Sequence, residues 1–435
     1  MSVPALEPIE LGFAEQVDNP VFLTSPYFPS KIGGHPAWLN PQHLPSTESA
    51  AADGLACPLC TKPMAFLLQL YTPVDDSPAC FHRSVYVFCC RNGGCHKTAS
   101  ATGAHCFKVL RCQLPRENPY FGVDANDNVE LDSSVQGQRR VALSAPTCAV
   151  CGNLGPKKCG QCGRARYCSR EHQVAHWGAG HKQACSNASG NVAPTAKEVA
   201  LRFPEFELVT EPEEVRPGDD GDEDDEAAEK RRMQEFEAAV KDFKLDVQTE
   251  EEGKDVDDLF DGSDTVQEED ECFEAFQKRV ARDSEQVLRY QKGGKPLWIS
   301  DVAQCAPGAV PRCLNCGTQR VFEFQIMPQL LWILGVDNLD GNSLDWGTLL
   351  VYTCPNDCNP QEASATTPAQ PATEPASFAS VAATNAKPVP VTSSAYLPEF
   401  LYSQQVSEKG SIDLQQRERR APQPDARPEA TNASP

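Results

Sequence analysis

Eight soft ligands crowd into the 38 residues from Cys148 to Cys185, in four pairs: Cys148/Cys151, Cys159/Cys162, Cys168/His172 and His181/Cys185. The first two pairs have the C-x2-C spacing of a turn that aims two sulfurs at one ion. The last two have the i, i+4 spacing of one helical face. Eight such ligands fill two tetrahedral zinc sites. A stretch this short buries too little apolar surface to offset its conformational entropy, so metal binding is expected to supply most of its folding free energy. His176 lies on the same face as His172 and is a rival ligand.

Outside this stretch the same chemistry recurs twice. Cys57 and Cys60 form another C-x2-C turn, followed by Cys90 and Cys95, and the adjacent Cys89 leaves the third ligand open between two residues. Cys313/Cys316 and Cys354/Cys358 repeat that layout. Paired knuckles on strand ends are the layout of a zinc ribbon, so Cys57, Cys60, Cys90 and Cys95 are expected to hold one ion, and Cys313, Cys316, Cys354 and Cys358 another. About four zinc ions per chain are expected, each with four protein ligands and no open position, as in structural sites. Fourteen of the 20 cysteines fall into these pairs, which reads as metal binding in a reducing compartment rather than as disulfides. Cys80, Cys106, Cys112, Cys272 and Cys305 have no pairing and read as core or surface thiols. No Gly-rich phosphate loop, Gly-x-Ser-x-Gly elbow or His-Glu-x-x-His helix is present, so the chain is not expected to be an enzyme.

The elements that must position these ligands are mainly β with some α. Residues 1–45 are rich in Pro and Gly with scattered aromatics and read as short strands and turns. Strands are expected at Met64–Tyr71, Ser84–Cys90, Leu349–Thr353 and Ala395–Tyr402. Phe273, Phe276 and Val280 recur at helical spacing, as do Met233, Phe236, Val240 and Phe243. Gly33-Gly34-His35-Pro36-Ala37-Trp38-Leu39 returns as Gly293-Gly294-Lys295-Pro296-Leu297-Trp298-Ile299. A cysteine knuckle follows each copy, and Phe66 and Gln69 stand six and nine residues after Cys60, as Phe322 and Gln325 do after Cys316. Agreement in this order points to an internally duplicated, zinc-ribbon-bearing domain with the two-zinc stretch inserted between its halves. The expected divisions are 1–140 and 271–358 for the halves, 145–188 for the insert, 200–270 for a largely disordered acidic linker, 359–391 for a low-complexity loop, 392–406 for a last strand and 407–435 for a disordered tail.

Of 435 residues only 40% are hydrophobic, and with 36 prolines and a mean hydropathy of -0.45 this implies sizeable unfolded segments. The net charge of -22 is local: Glu211 to Glu271 holds 27 acidic against seven basic residues, a net of -20. The two-zinc stretch runs the other way, with Lys157, Lys158, Arg164, Arg166, Arg170 and Lys182 against Glu171. Such a chain is a poor nucleic-acid binder and a fitting partner for a basic protein. The N-terminus lacks a signal-peptide pattern and no apolar run reaches spanning length; Ile326–Val336 is broken by Pro328 and Gln329. A soluble protein of cytoplasm and nucleus is expected.

Tyr167-Cys168-Ser169, His172-Gln173, His176-Trp177, His181-Lys182 and Cys185 resemble the tail of a MYND zinc finger. Carried over pairwise, the resemblance implies a cross-brace, with Cys148, Cys151, Cys168 and His172 on one zinc and Cys159, Cys162, His181 and Cys185 on the other. His172 stands where the finger usually has Cys, and Gly178-Ala179-Gly180 holds one extra residue. LGF at Leu11, GG-x-P-x-W, CPLCTKPMAFLLQLYTP, FHRSVYVFCC, the finger, FPEFELVTE at Phe203, QVLRY, PLW and CLNCG together resemble the programmed cell death protein 2 family, whose finger carries the same His and the same extra residue. The likeness runs from about Leu11 to Tyr402. The loop after Cys358 resembles an insertion, and Tyr402 stands where the family usually has Trp.

That resemblance implies a chaperone of a basic small-subunit ribosomal protein, the universal protein five, held until assembly into the 40S precursor. An acidic segment suits the role, because it neutralises a cationic client and steers encounter. The alternative is an adaptor in transcriptional regulation or signalling, in which the MYND finger grips a proline-containing peptide.

Overall fold

The computed structural model describes residues 7–48, 54–74, 77–98, 106–121, 145–186, 195–214, 270–336, 343–359 and 395–406. The charge run at 219–226, the helical spacing from Met233 to Phe243, nearly all of the loop at 359–391 and the tail from Ser407 lie outside the described residues. The chain divides into two units, Met1–Glu211 with Asp270–Pro435, and Pro212–Glu269. Only residues 212–214 of the second are described.

Along the chain run β1 (Glu10–Glu15), β2 (Lys31–Ile32), β3 (Ala65–Tyr71), β4 (His82–Cys89), α1 (Gly93–Thr98) and β5 (Phe107–Leu114). The inserted finger contributes β6 (Lys157–Lys158), β7 (Arg166–Tyr167), α2 (Arg170–His176), a kinked turn at Trp177–His181, and α3 (Lys182–Ser186). After it come α4 (Ala196–Val199), β8 (Phe206–Pro212), α5 (Glu271–Val280), β9 (Leu288–Tyr290), β10 (Val321–Ile326), α6 (Gln329–Leu334), β11 (Thr348–Thr353) and β12 (Tyr396–Gln404). Ten strands close one barrel in the order β1-β8-β2-β3-β4-β5-β12-β11-β10-β9, and β6 pairs with β7 apart from it.

The sequences of the staves reflect burial on both faces. β4 reads His-Arg-Ser-Val-Tyr-Val-Phe-Cys and all eight residues are buried, so no polar alternation marks a solvent face. Inside is the barrel core; outside, Trp38 stacks on Tyr86 and Phe88 at 5.1 and 5.7 Å. The Leu39 and Asn40 amides donate to the hydroxyls of Tyr86 and Tyr396, each at 3.0 Å. The two GG-x-P-x-W segments are held alike. The Ala37 amide donates to Gln69 Oε1 at 2.8 Å, and the Leu297 amide to Gln325 Oε1 at 2.7 Å. A buried glutamine thus supplies the partner that a neighbouring strand would give elsewhere. β3 and β10 also carry matching register shifts, at Phe66/Leu68 and Phe322/Phe324.

Every pairing on the path β3-β4-β5-β12-β11-β10 is antiparallel. β3 and β10 therefore run in opposite directions, and the cysteine groups that precede them sit at opposite ends of the barrel. Asp270 caps α5 by accepting from the Phe273 amide at 3.1 Å. The buried face of α5, with Phe273, Phe276 and Val280, packs on Ile299 and Met327.

The two halves close into a single sheet, with β1, β8, β2, β3, β4 and β5 side by side and β12, β11, β10 and β9 side by side, joined by the β1–β9 and β5–β12 pairs. The linker expected over 200–270 begins too early, because Phe206–Pro212 is a barrel strand whose Leu208 lies in the core. β5 was not foreseen, since Lys108, Arg111 and Gln113 interrupt its apolar residues, yet Arg111 and Gln113 are buried. The apolar run Ile326–Val336 resolves into the end of β10 and helix α6, and among the described residues no helix is long and apolar enough to cross a membrane.

Candidate metal centres

Four C-x2-C turns share one backbone solution. The residue after the second cysteine has positive φ in each: Thr61 (60°), Gly152 (72°), Gly163 (66°) and Gly317 (73°). Its amide donates to the carbonyl of the first cysteine, at 2.8, 2.9, 2.8 and 2.9 Å. The left-handed residue reverses the chain so tightly that both sulfurs project to one side. Three of the four positions are glycine, the residue that adopts this conformation without a Cβ penalty.

Each turn meets a second pair of ligands. Cys57, Cys60, Cys90 and Cys95 converge, as do Cys148, Cys151, Cys168 and His172; Cys159, Cys162, His181 and Cys185; and Cys313, Cys316, Cys354 and Cys358, with all donor atoms of a group within 4.8 Å of one another. Sulfur separations are 3.6 Å for Cys60–Cys90, 3.5 Å for Cys313–Cys358 and 3.4 Å for Cys316–Cys354. A tetrahedral ion with metal–sulfur bonds of about 2.3 Å spaces its sulfurs by about 3.8 Å, so the groups fit a tetrahedral metal.

The finger is cross-braced. Cys148 and Cys168 lie 3.6 and 3.0 Å from His172 Nδ1, Cys151 and Cys168 are 3.6 Å apart, and Cys162 lies 3.7 Å from His181 Nε2. Ser169 caps α2 by accepting from the His172 amide at 3.2 Å, which starts the helix in time to place His172 one turn beyond Cys168. His176 stays outside the group, with Nδ1 2.9 Å from the Tyr167 hydroxyl and Nε2 2.9 Å from Glu198. At the other ambiguous point, strand alternation turns Cys90 into its group and Cys89 away. Burial pushes the Cys89 thiol up to about 12, the state of a neutral core thiol. Cys80, Cys106, Cys112 and Cys305 are buried, Cys272 is half-buried, and none joins a group.

The finger's seat on the barrel was not legible in advance. The Trp38 indole donates to the Gly152 carbonyl at 2.8 Å, Asn153 Nδ2 to the Met64 carbonyl at 3.0 Å, and His35 Nε2 lies 3.1 Å from the Val150 carbonyl. A Cβ on Gly152 would stand 2.7 Å from Pro36 Cδ. The first knuckle of the finger is therefore clamped against the first GG-x-P-x-W segment. The segment after the finger adds Thr195 Oγ1 to the Ala179 carbonyl at 2.8 Å and Arg91 to the Leu201 carbonyl at 2.8 Å.

A second constellation also escaped sequence reading. Arg83 of β4 meets Glu323 of β10 in a bidentate pair, Nη1–Oε1 2.6 Å and Nη2–Oε2 2.7 Å, and its Nε donates to Asp357 at 2.8 Å. Arg111 and Arg320 both bind Glu399, at 2.8 and 2.7 Å. Burial alone would raise the Glu323 carboxyl, but the adjoining Arg83 guanidinium overrides it and holds the group well below the usual carboxylate range. No local pattern marks these residues, because partners such as Arg83 and Glu323 are 240 positions apart.

Comparison with known proteins follows this architecture closely. Residues 8–128 match the N-terminal domain of programmed cell death protein 2, residues 148–185 the MYND finger, and residues 270–375 the C-terminal domain of the same protein. Mouse programmed cell death protein 2 is 38% identical over 364 residues, covering 82% of this chain and 94% of that one. The chain belongs to the programmed cell death protein 2 family. Within that family, the human programmed cell death protein 2-like protein is 30% identical over 372 residues, with 82% and 92% covered. A fission-yeast relative, the probable 20S rRNA accumulation protein 4, is 34% identical over 101 residues, 21% of this chain and 24% of that one. No solved structure matches. The two domain matches of the family flank the finger, as the two halves of the barrel do.

Proposed function

We propose that this protein is a non-enzymatic, zinc-binding chaperone that escorts a basic small-subunit ribosomal protein, of the universal protein five type, to the 40S precursor in cytoplasm and nucleus. The reading is carried by the likeness to a relative named for 20S rRNA accumulation. Charge supports it: a segment of net -20 between Glu211 and Glu271 neutralises a cationic client and speeds encounter. Zinc is the metal we assign to the four groups, since four cysteines, or three cysteines with one histidine, in closed tetrahedra are the donor sets of structural zinc. The barrel is read as a product of internal duplication, supported by the matching roles of Gln69 and Gln325 and the matching register shifts of β3 and β10.

Affinity capture of the full chain from cells tests the function. One basic ribosomal protein in near-stoichiometric amount is expected. Recovery of transcription factors with no ribosomal protein would favour the MYND adaptor instead.

A further inference from the structure

The C-terminal cysteine group carries an aspartate that reaches out of it. Asp357, between Cys354 and Cys358, has a φ of 42°, and its amide donates to the Cys354 carbonyl at 3.2 Å. Its carboxylate accepts from Arg83 Nε at 2.8 Å and Lys292 Nζ at 2.5 Å. Its carbonyl accepts from Gln113 Nε2 at 2.6 Å and from the Cys80 thiol at 3.4 Å, and the next carbonyl, that of Cys358, accepts from Arg111 at 3.2 Å. Arg83, Arg111, Gln113 and Cys80 all belong to the N-terminal half of the barrel. One five-residue loop of the C-terminal half thus satisfies four side chains of the other half.

A non-glycine residue in the left-handed region persists only where its surroundings over-determine it. Here the loop is pinned at both ends by Cys354 and Cys358, which converge with Cys313 and Cys316. Four neutral thiols hold one another weakly, whereas four thiolates on one ion hold firmly. Cys316 is exposed and Cys358 half-buried, so this group is open to exchange with the surroundings.

We propose that Cys313, Cys316, Cys354 and Cys358, closed on one metal ion, form a latch: they hold Asp357 against Arg83 and so lock β4 and β5 to the C-terminal half. This rests on the metal-binding reading above. Loss of the ion frees the loop, strands the buried Arg83 and Arg111 without part of their partners, and loosens the β5–β12 seam. By linkage, weakening the Asp357 contacts must weaken retention of the ion in turn.

The test uses the full chain, metal content by elemental analysis, metal release to a chromogenic chelator, and hydrogen exchange over His82–Cys89 and Phe107–Leu114. Cys316→Ser should lose one ion and raise exchange in both strands about tenfold or more. Asp357→Asn should keep every ion, raise exchange in the same strands, and speed at least threefold the release phase that Cys316→Ser lacks. A lost ion with unchanged exchange would overturn the latch alone. Equal metal content in wild type and Cys316→Ser would overturn the metal reading of this group and the latch with it. If Cys316→Ser does not fold, the decision falls to Asp357→Asn: unchanged exchange and unchanged release would refute the proposal.

Discussion

Arg83 and Glu323 meet inside the barrel as a bidentate ion pair, with both side chains fully withdrawn from solvent, although they stand 240 positions apart in the chain. The pair links non-adjacent strands of the two halves, so its energetics report on closure of the barrel. Removing one partner leaves the other charged in a dry interior, which costs about 3–5 kcal/mol. Glu323→Leu should therefore destabilise the protein by that amount in denaturant unfolding. A loss under about 1 kcal/mol would show that Asp357, which stays 2.8 Å from Arg83 Nε, neutralises the guanidinium without Glu323.

Metal content discriminates the ligand assignments. Wild-type protein should carry one ion for each of the four groups. Cys90→Ser and His172→Ala should each lower the count by one, while Cys89→Ser and His176→Ala should leave it unchanged. A drop with Cys89→Ser or His176→Ala would reverse the assignment at that position.

Thr61 is the one residue of its kind among the four knuckle turns. Its β-branched side chain sits at φ 60°, where Gly152, Gly163 and Gly317 have no Cβ to strain. Thr61→Gly should raise stability by about 1 kcal/mol, and Gly317→Thr should lower it by a similar amount. Midpoints of thermal unfolding, compared at full metal loading, measure both.

The seat of the finger depends on the Trp38 indole. Trp38→Phe removes the 2.8 Å bond to the Gly152 carbonyl and should cost about 1–2 kcal/mol. Both finger ions should remain bound, while amide exchange over Val150–Asn153 accelerates. Unaltered exchange would mean that the other contacts suffice to hold the knuckle.

His82 makes stability sensitive to acid. It stacks on Phe28 at a centroid distance of 4.2 Å, and burial pulls its pKa from 6.5 down to about 4. The folded protein keeps the ring neutral while the unfolded chain binds a proton near pH 6.5. Stability from this group is therefore complete above that pH and declines as pH falls from 6.5 towards 4, by about 1–2 kcal/mol at pH 5. His82→Phe should flatten this part of the profile; parallel profiles for the two proteins would contradict it.

Metal chemistry was legible in the chain because its spacing is local. Cys148 and Cys151, or Cys168 and His172, are brought together by a turn or a helix that a few residues suffice to encode, and the repeat of GG-x-P-x-W disclosed that two regions do the same work. Local spacing could not choose between Cys89 and Cys90, or between His172 and His176. Strand alternation made the first choice, and the contacts of His176 with Tyr167 and Glu198 made the second. The closure of both halves into one barrel, the clamp of Trp38 on Gly152 and the buried pairing of Arg83 with Glu323 and Asp357 belong to tertiary structure alone. Their partners are distant in the chain, and an arginine or glutamate in a strand reads as a solvent-facing residue until the opposite wall of the barrel supplies its counter-charge.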